Sequence, residues 1–244
     1  MTALIVGASA GVGRALSEAL AERGEDLLLV SSDARDLDAL AAHLRLIHRV
    51  GVTTVEADAN DVARCVEKIC KAAESFGSIE GLYFPIGASR NDDHGLVGVE
   101  GVNAILNSNL AIVLGLTAQL LPRLLTQPKS QIVGFGSIAS VRGRRSNVIY
   151  SAAKRGLQTY FESLRHLTAK TNVTVQFYQL GYVATQQSFG QSLLFPPVTS
   201  SYVAQQVICN LDKDFGRRFL PRYWSIIALM VRCLPWSIYK KLDF

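Results

Sequence analysis

Six short apolar runs, ALIV, DLLLV, VTTVEA, GLYF, QIVGF and VTVQFYQL, recur along the chain, each separated from the next by a longer amphipathic stretch. Strands interleaved with helices cannot be joined as tight hairpins, so the pattern predicts βαβ units and a mostly parallel sheet covered on both faces. The runs at 3–6, 81–84 and 131–135 are uninterrupted and apolar, as central strands buried on both sides must be. In such sheets ligands bind beyond the carboxyl ends of the strands, near the point where strand order reverses. With 244 residues, 49% hydrophobic and 18% charged, the chain is expected to form one folded domain over 1–244.

The first run ends in GASAGVGRAL, which places Gly7, Gly11 and Gly13 where the strand turns into a helix. Glycines allow a tight turn there, and a missing side chain lets a pyrophosphate reach the N–H groups at the helix start. The spacing GxxxGxG at this position predicts a dinucleotide site. The second run ends in Ser31 and Ser32 followed by Asp33. A free ribose 2′-hydroxyl ordinarily meets an acid at this point, whereas a 2′-phosphate needs a site without that repulsion. The two serines favour NADP, with Arg14 or Arg35 as sources of charge, while NAD stays open through Asp33. After the third run, Asp58 in VEADAND has two readings: a partner for the adenine amine, or a cap for the helix starting near Asn60 and Asp61.

In YSAAK, Tyr150 and Lys154 stand four residues apart, so on a helix they share one face and one site. Ser137 lies thirteen residues before Tyr150, and Asn109 occurs in NSNLA on an earlier helical stretch. Together with the glycine loop, these residues closely resemble the short-chain dehydrogenase/reductase family over about residues 3–190. The resemblance implies a doubly wound α/β fold of Rossmann type and a carbonyl–alcohol oxidoreductase that uses NADP or NAD. It casts Tyr150 as the general acid and Lys154 as the cation that lowers the phenol's pKa and holds the nicotinamide ribose. Ser137 would bind the substrate oxygen, and the Asn109 backbone would retain a water linking Lys154 to solvent. Cofactor contacts are then expected from Gly7, Ser9, Gly11, Val12, Gly13, Ser31, Ser32, Asp58, Ala59, Gly87, Tyr150, Lys154, Val183 and Thr185. Like members of that family, the protein is expected to be a homo-oligomer.

Three departures stand out. The family's Asn-Asn-Ala-Gly stretch is FPIG here, Val6 replaces a common Thr, and Leu180 replaces Pro in LGYVAT. Residues 186–197, QQSFGQSLLFPP, are expected to form a substrate loop, apolar enough to suggest an apolar carbonyl or alcohol.

The segment 220–244 departs furthest from the family. Its apolar core, Trp224 to Leu234, is too short to cross a bilayer. Flanking tryptophans and basic residues fit a helix lying in a membrane interface through 220–241; the competing reading is a helix packed over the substrate cleft or a subunit interface.

The net charge of +5 comes without a recognition motif, so no nucleic-acid partner is expected. The four cysteines show no metal-ligand spacing, and MTALIVGAS lacks the basic region and cleavage site of a secretion signal. The expectation is a metal-free, cytoplasmic protein with reduced thiols, resting peripherally on a membrane if the tail binds one. A second function class, a cofactor-binding redox sensor or scaffold without turnover, is motivated by FPIG and the tail.

Overall fold

In the computed structural model, which describes residues 2–90, 92–185 and 194–242, every one of the six apolar runs is a strand. These are β1 (Thr2–Val6), β2 (Asp26–Ser31), β3 (Val52–Glu56), β4 (Gly81–Phe84), β5 (Ser130–Ser137) and β6 (Val173–Leu180). A short ribbon, β7 (Val183–Ala184) with β8 (Val198–Thr199), stands apart, and β9 (Arg217–Leu220) completes the main sheet. The main sheet runs β3-β2-β1-β4-β5-β6-β9 with all pairs parallel. Strand order therefore reverses between β1 and β4, which puts a crevice at the ends of those two strands.

Among the described residues, seven α-helices lie between strands, α1 (Gly11–Glu22), α2 (Ala34–His48), α3 (Val62–Phe76), α4 (Val99–Leu106), α5 (Ile112–Thr126), α6 (Val148–Leu167) and α7 (Ser200–Ile208), and two follow β9, α8 (Trp224–Cys233) and α9 (Trp236–Tyr239). Alternation along each strand divides the core in two. Leu4, Val6, Leu28 and Val30 face the side covered by α3, α5 and α6, where they meet Ile69, Leu116, Leu157 and Phe161. Ala3, Ile5, Leu27 and Leu29 face the other side, against Leu16, Leu20, Leu40 and Val203 of α1, α2 and α7. A strand apolar at every position is thus the direct signature of a sheet sandwiched between two helical layers.

Local chemistry sets the helix ends. Asp33 caps α2 by accepting from Asp36 N–H at 3.0 Å, and Asp61 caps α3 by accepting from Arg64 N–H at 3.1 Å. Between α4 and α5 the helix widens into a π-turn at Asn107–Ala111, a distortion that frees backbone groups and recurs at functional sites.

The tail folds back onto the domain. Trp224 and Ala228 of α8 are buried, whereas Ile226, Leu229 and Met230 face outward. Arg142 donates to the Val231 carbonyl at 2.9 Å and lies 3.9 Å over the Tyr239 ring, while the Tyr239 hydroxyl donates to the Gly143 carbonyl at 2.8 Å. Of the expected substrate loop, only Leu194 to Pro197 lie within the described residues; Phe195 packs edge-on against Trp224 with ring centroids 5.2 Å apart.

Candidate active site

A cleft of about 690 Å³ opens over the carboxyl ends of the strands. Its floor at β1 is the glycine loop. Gly7 turns at φ 92°, a conformation side chains disfavour, and its N–H and that of Ala8 donate to the Val30 carbonyl at 2.8 and 3.0 Å. A Cβ on Gly7 would sit 2.8 Å from the Ile86 backbone. The residue preceding α1 is Ala10, which supplies no side-chain cap, and the helix has no acid in its first turn. Its leading N–H groups are thus left for an external anion, and the positive end of the helix dipole favours one. This cradle suits a dinucleotide pyrophosphate.

Gly7, Ser9, Gly11 and Val12 line the cleft, as do Ser31, Ser32, Asp58, Ala59, Gly87, Val183 and Thr185. Gly13 does not. A Cβ there would fall 1.9 Å from the Gly7 carbonyl oxygen, so glycine at 13 lets α1 pack closely on the turn. The Ser9 and Ser31 hydroxyls are hydrogen-bonded at 2.7 Å. The Asp33 carboxylate, which sequence left open as a ribose partner, is taken up as the α2 cap. Arg14 pairs with Glu18 at 3.2 Å and Arg35 with Asp36 at 3.5 Å, and neither lines the cleft. Capping of α3 falls to Asp61, leaving Asp58 on the cleft wall, where it accepts from Asn60 N–H at 2.9 Å.

At the other end, β5 delivers Ser137 and α6 delivers Tyr150 and Lys154 to one wall. The Lys154 ammonium lies 5.9 Å from the Tyr150 ring centroid and donates to the Ile86 and Phe135 carbonyls, each at 3.2 Å. Asn109, fully buried in the π-turn, donates to the Ala88 carbonyl at 2.7 Å and keeps Oδ1 without a partner. It stands behind the lining. A Cβ on Gly87 would meet Lys154 Nζ at 2.7 Å and Asn109 Oδ1 at 2.8 Å. Gly87, the glycine kept in FPIG, is what allows those two groups to converge.

Burial pulls the Lys154 amine down to about 8, with no carboxylate to offset it. Burial also raises the Tyr150 phenol above its ordinary range, opposed by hydrogen bonding from Ser137 and by the Arg144 guanidinium. The expected lowering by Lys154 is not part of that balance; desolvation of the phenol outweighs its polar neighbours.

Three contributors were not anticipated from sequence. Asp93, almost wholly buried, accepts from the backbone N–H groups of Ile149 and Tyr150 at the start of α6. Arg144 lines the cleft beside Tyr150. Trp224 packs so tightly on Gly181 that a Cβ there would lie 1.8 Å from the indole nitrogen. An acid shortly before a helical stretch and an arginine between the serine and the tyrosine were the available signals, but neither carries a spacing rule.

A family model described as short chain dehydrogenase matches residues 1–191. An uncharacterized oxidoreductase of Myxococcus xanthus is 28% identical over 237 residues, covering 96% of this chain and 92% of the relative. The 3-oxoacyl-acyl-carrier-protein reductase of Escherichia coli is 27% identical over 186 residues, covering 76% of this chain and 75% of that enzyme. Among solved structures, a short-chain dehydrogenase from Sphingobium yanoikuyae in complex with NADPH superposes with a TM-score of 0.84 at 23% identity, covering 99% of this chain and 96% of that one.

Proposed function

Because the chain belongs to the short-chain dehydrogenase family, and is therefore an NAD(P)-dependent oxidoreductase, we propose that its cleft reduces a ketone or 3-oxoacyl carbonyl with Tyr150 as the general acid. The observation that carries this reading is the convergence of Ser137, Tyr150 and Lys154 on one wall of the cleft that the glycine loop floors.

The nicotinamide cofactor, when bound, supplies the hydride for reduction and accepts it for oxidation. The loop from Gly7 to Val12 would hold its pyrophosphate, Asp58 and Ala59 its adenine, and Val183 and Thr185 its carboxamide. Ser31 and Ser32 would meet the adenosine ribose. Asp33 is engaged as the α2 cap and lies outside the cleft lining, which favours a 2′-phosphate beside the serines, so NADP is the preferred form. Lys154 would bind the nicotinamide ribose hydroxyls.

Tyr150 gives its proton to the carbonyl oxygen as the alcohol forms. A phenol held above its usual pKa stays protonated at neutral pH, so the acid is in the correct state for reduction. Ser137 donates to the same oxygen and offsets the charge developing on it. Lys154, so deeply buried that it gives up its proton near pH 8, can pass one toward the phenol.

The test is turnover by purified protein, with NADPH and NADH compared across a chain-length series of ketones and 3-oxoacyl compounds. Tyr150→Phe should lower kcat by about a hundredfold or more while nucleotide fluorescence reports nearly unchanged cofactor affinity. Full activity in that variant would remove Tyr150 from the chemistry.

A further inference from the structure

Three cations line the described cleft: Arg90, Arg144 and Lys154. Two are satisfied. Arg90 is held in a fork by Asp92 at 2.8 and 2.7 Å, and Lys154 donates to two carbonyls. Arg144 has no hydrogen-bond or ion-pair partner among the described residues, and its Nε is buried without an acceptor. A buried guanidinium N–H with no acceptor is costly unless something else supplies one.

No carboxylate among the described lining residues is placed to do so. Asp58 is the one carboxylate among the lining residues, and it follows β3 at the adenosine end, whereas Arg144 lies with Ser137 and Tyr150 beyond β5. The Asp93 carboxylate is committed to the two α6 amides. Arg144 is also held in position. Its neighbours Arg142 and Gly143 are tied to the tail through the Val231 carbonyl and the Tyr239 hydroxyl. The guanidinium is thus presented on a braced loop, which spares an incoming partner the cost of ordering it.

We propose that Arg144 is the receptor for a carboxylate on the substrate, so that the enzyme acts on a free oxo acid whose carboxylate lies within a few bonds of the reacting carbonyl. The inference rests on the carbonyl-reductase reading above and narrows it. A planar guanidinium matches a carboxylate through two parallel hydrogen bonds, and Arg144 is near enough to Tyr150 for its charge to act on the phenol. A neutral ketone or thioester offers no such partner. In the reaction the oxo acid takes a hydride at carbon and a proton at oxygen, giving the hydroxy acid and NADP⁺, with the carboxylate unchanged.

The experiment compares 3-oxo acids with their methyl esters at matched chain lengths, following NADPH consumption in wild type, Arg144→Gln and Arg144→Lys. Wild type should favour the acid, and Arg144→Gln should lower kcat/KM for the acid about 100-fold more than for the ester. Arg144→Lys, which keeps charge but loses the fork, should fall between. Equal treatment of acid and ester by wild type overturns the proposal, as does an equal loss on both in Arg144→Gln, which would make Arg144 a partner of Tyr150 and not of the substrate. Weakened NADPH binding by Arg144→Gln, of the same size as the activity loss, overturns it in favour of a cofactor contact. Reduction of neutral ketones but neither 3-oxo series would sink the carboxylate receptor and leave the reductase reading standing. Failure on every carbonyl would sink that reading itself.

Discussion

The Asp93 carboxylate accepts the backbone N–H of Tyr150 at 2.9 Å, and its other oxygen accepts that of Ile149 at 3.0 Å. The first N–H groups of a helix have no partner within it, and Asn147, at the cap position of α6, makes no side-chain bond to them. A residue far back in sequence therefore caps the helix that carries the proposed acid. Asp93→Ala should cost about 1–3 kcal/mol in chemical denaturation. It should also lower kcat more than it raises KM, because Tyr150 loses its anchor and not its chemistry; Asp93→Asn, which keeps one acceptor, should recover part of both. Unchanged kcat in Asp93→Ala would separate the cap from the site.

Gly87→Ala tests the gap between Lys154 and Asn109. The new methyl would lie 2.7 Å from one and 2.8 Å from the other, so one of these two buried groups must move. Cofactor affinity and kcat should both fall, while the fold, whose two cores lie elsewhere, loses little thermal stability. Wild-type kinetics in this variant would show that Lys154 can be displaced without consequence.

Lys154 should give stability a pH dependence of known sign. Its folded pKa of about 8 lies below the ordinary 10.5. Below pH 8 the amine is charged whether folded or not, and the full cost of burying it is present. Between pH 8 and 10.5 the unfolded chain binds the extra proton, so stability rises with pH. The advantage of Lys154→Met over wild type in denaturant should therefore shrink by roughly 2 kcal/mol between pH 7 and 9.5. A constant difference would mean that the amine is solvated.

What could be read from sequence follows from physical range. Periodicity marks strands buried on both faces, and the six apolar runs all became strands. The edge strand β9 was missed because RRFL is short and half charged, and only one neighbour supports it. Spacing rules found Tyr150 and Lys154, which share one helix, and placed Gly7 and Gly11 at their turn. At Gly13 the constraint comes from a backbone oxygen folded against it, which spacing does not reveal. Asp93, Arg144 and Trp224 act across gaps in sequence, where no local pattern signals the partner. In the tail, Trp224 is buried against Gly181, while Ile226, Leu229 and Met230 face outward.

Trp224 joins that tail to the proposed nicotinamide end through Gly181. A side chain on Gly181 would overlap the indole nitrogen, and Trp224 is also wedged among Tyr182, Phe195 and Tyr223, with ring centroids 5.2, 5.2 and 5.8 Å away. Gly181→Ala must therefore expel the indole, because backbone on one side and aromatic rings on the other leave it nowhere to shift. The chain has two tryptophans, Trp224 at 4% exposure and Trp236 at 67%, so the event is directly readable. Emission should move to longer wavelength as Trp224 enters water, and a Trp236→Phe background should isolate that signal. Since Arg142 and Tyr239 tie the same tail to the Arg144 loop, the loosened segment should become sensitive to protease after Arg222, and KM for the carbonyl should rise more than the cofactor Kd. An unmoved spectrum would show that α8 can slide on Gly181, and the tail would then have no part in bracing the cleft.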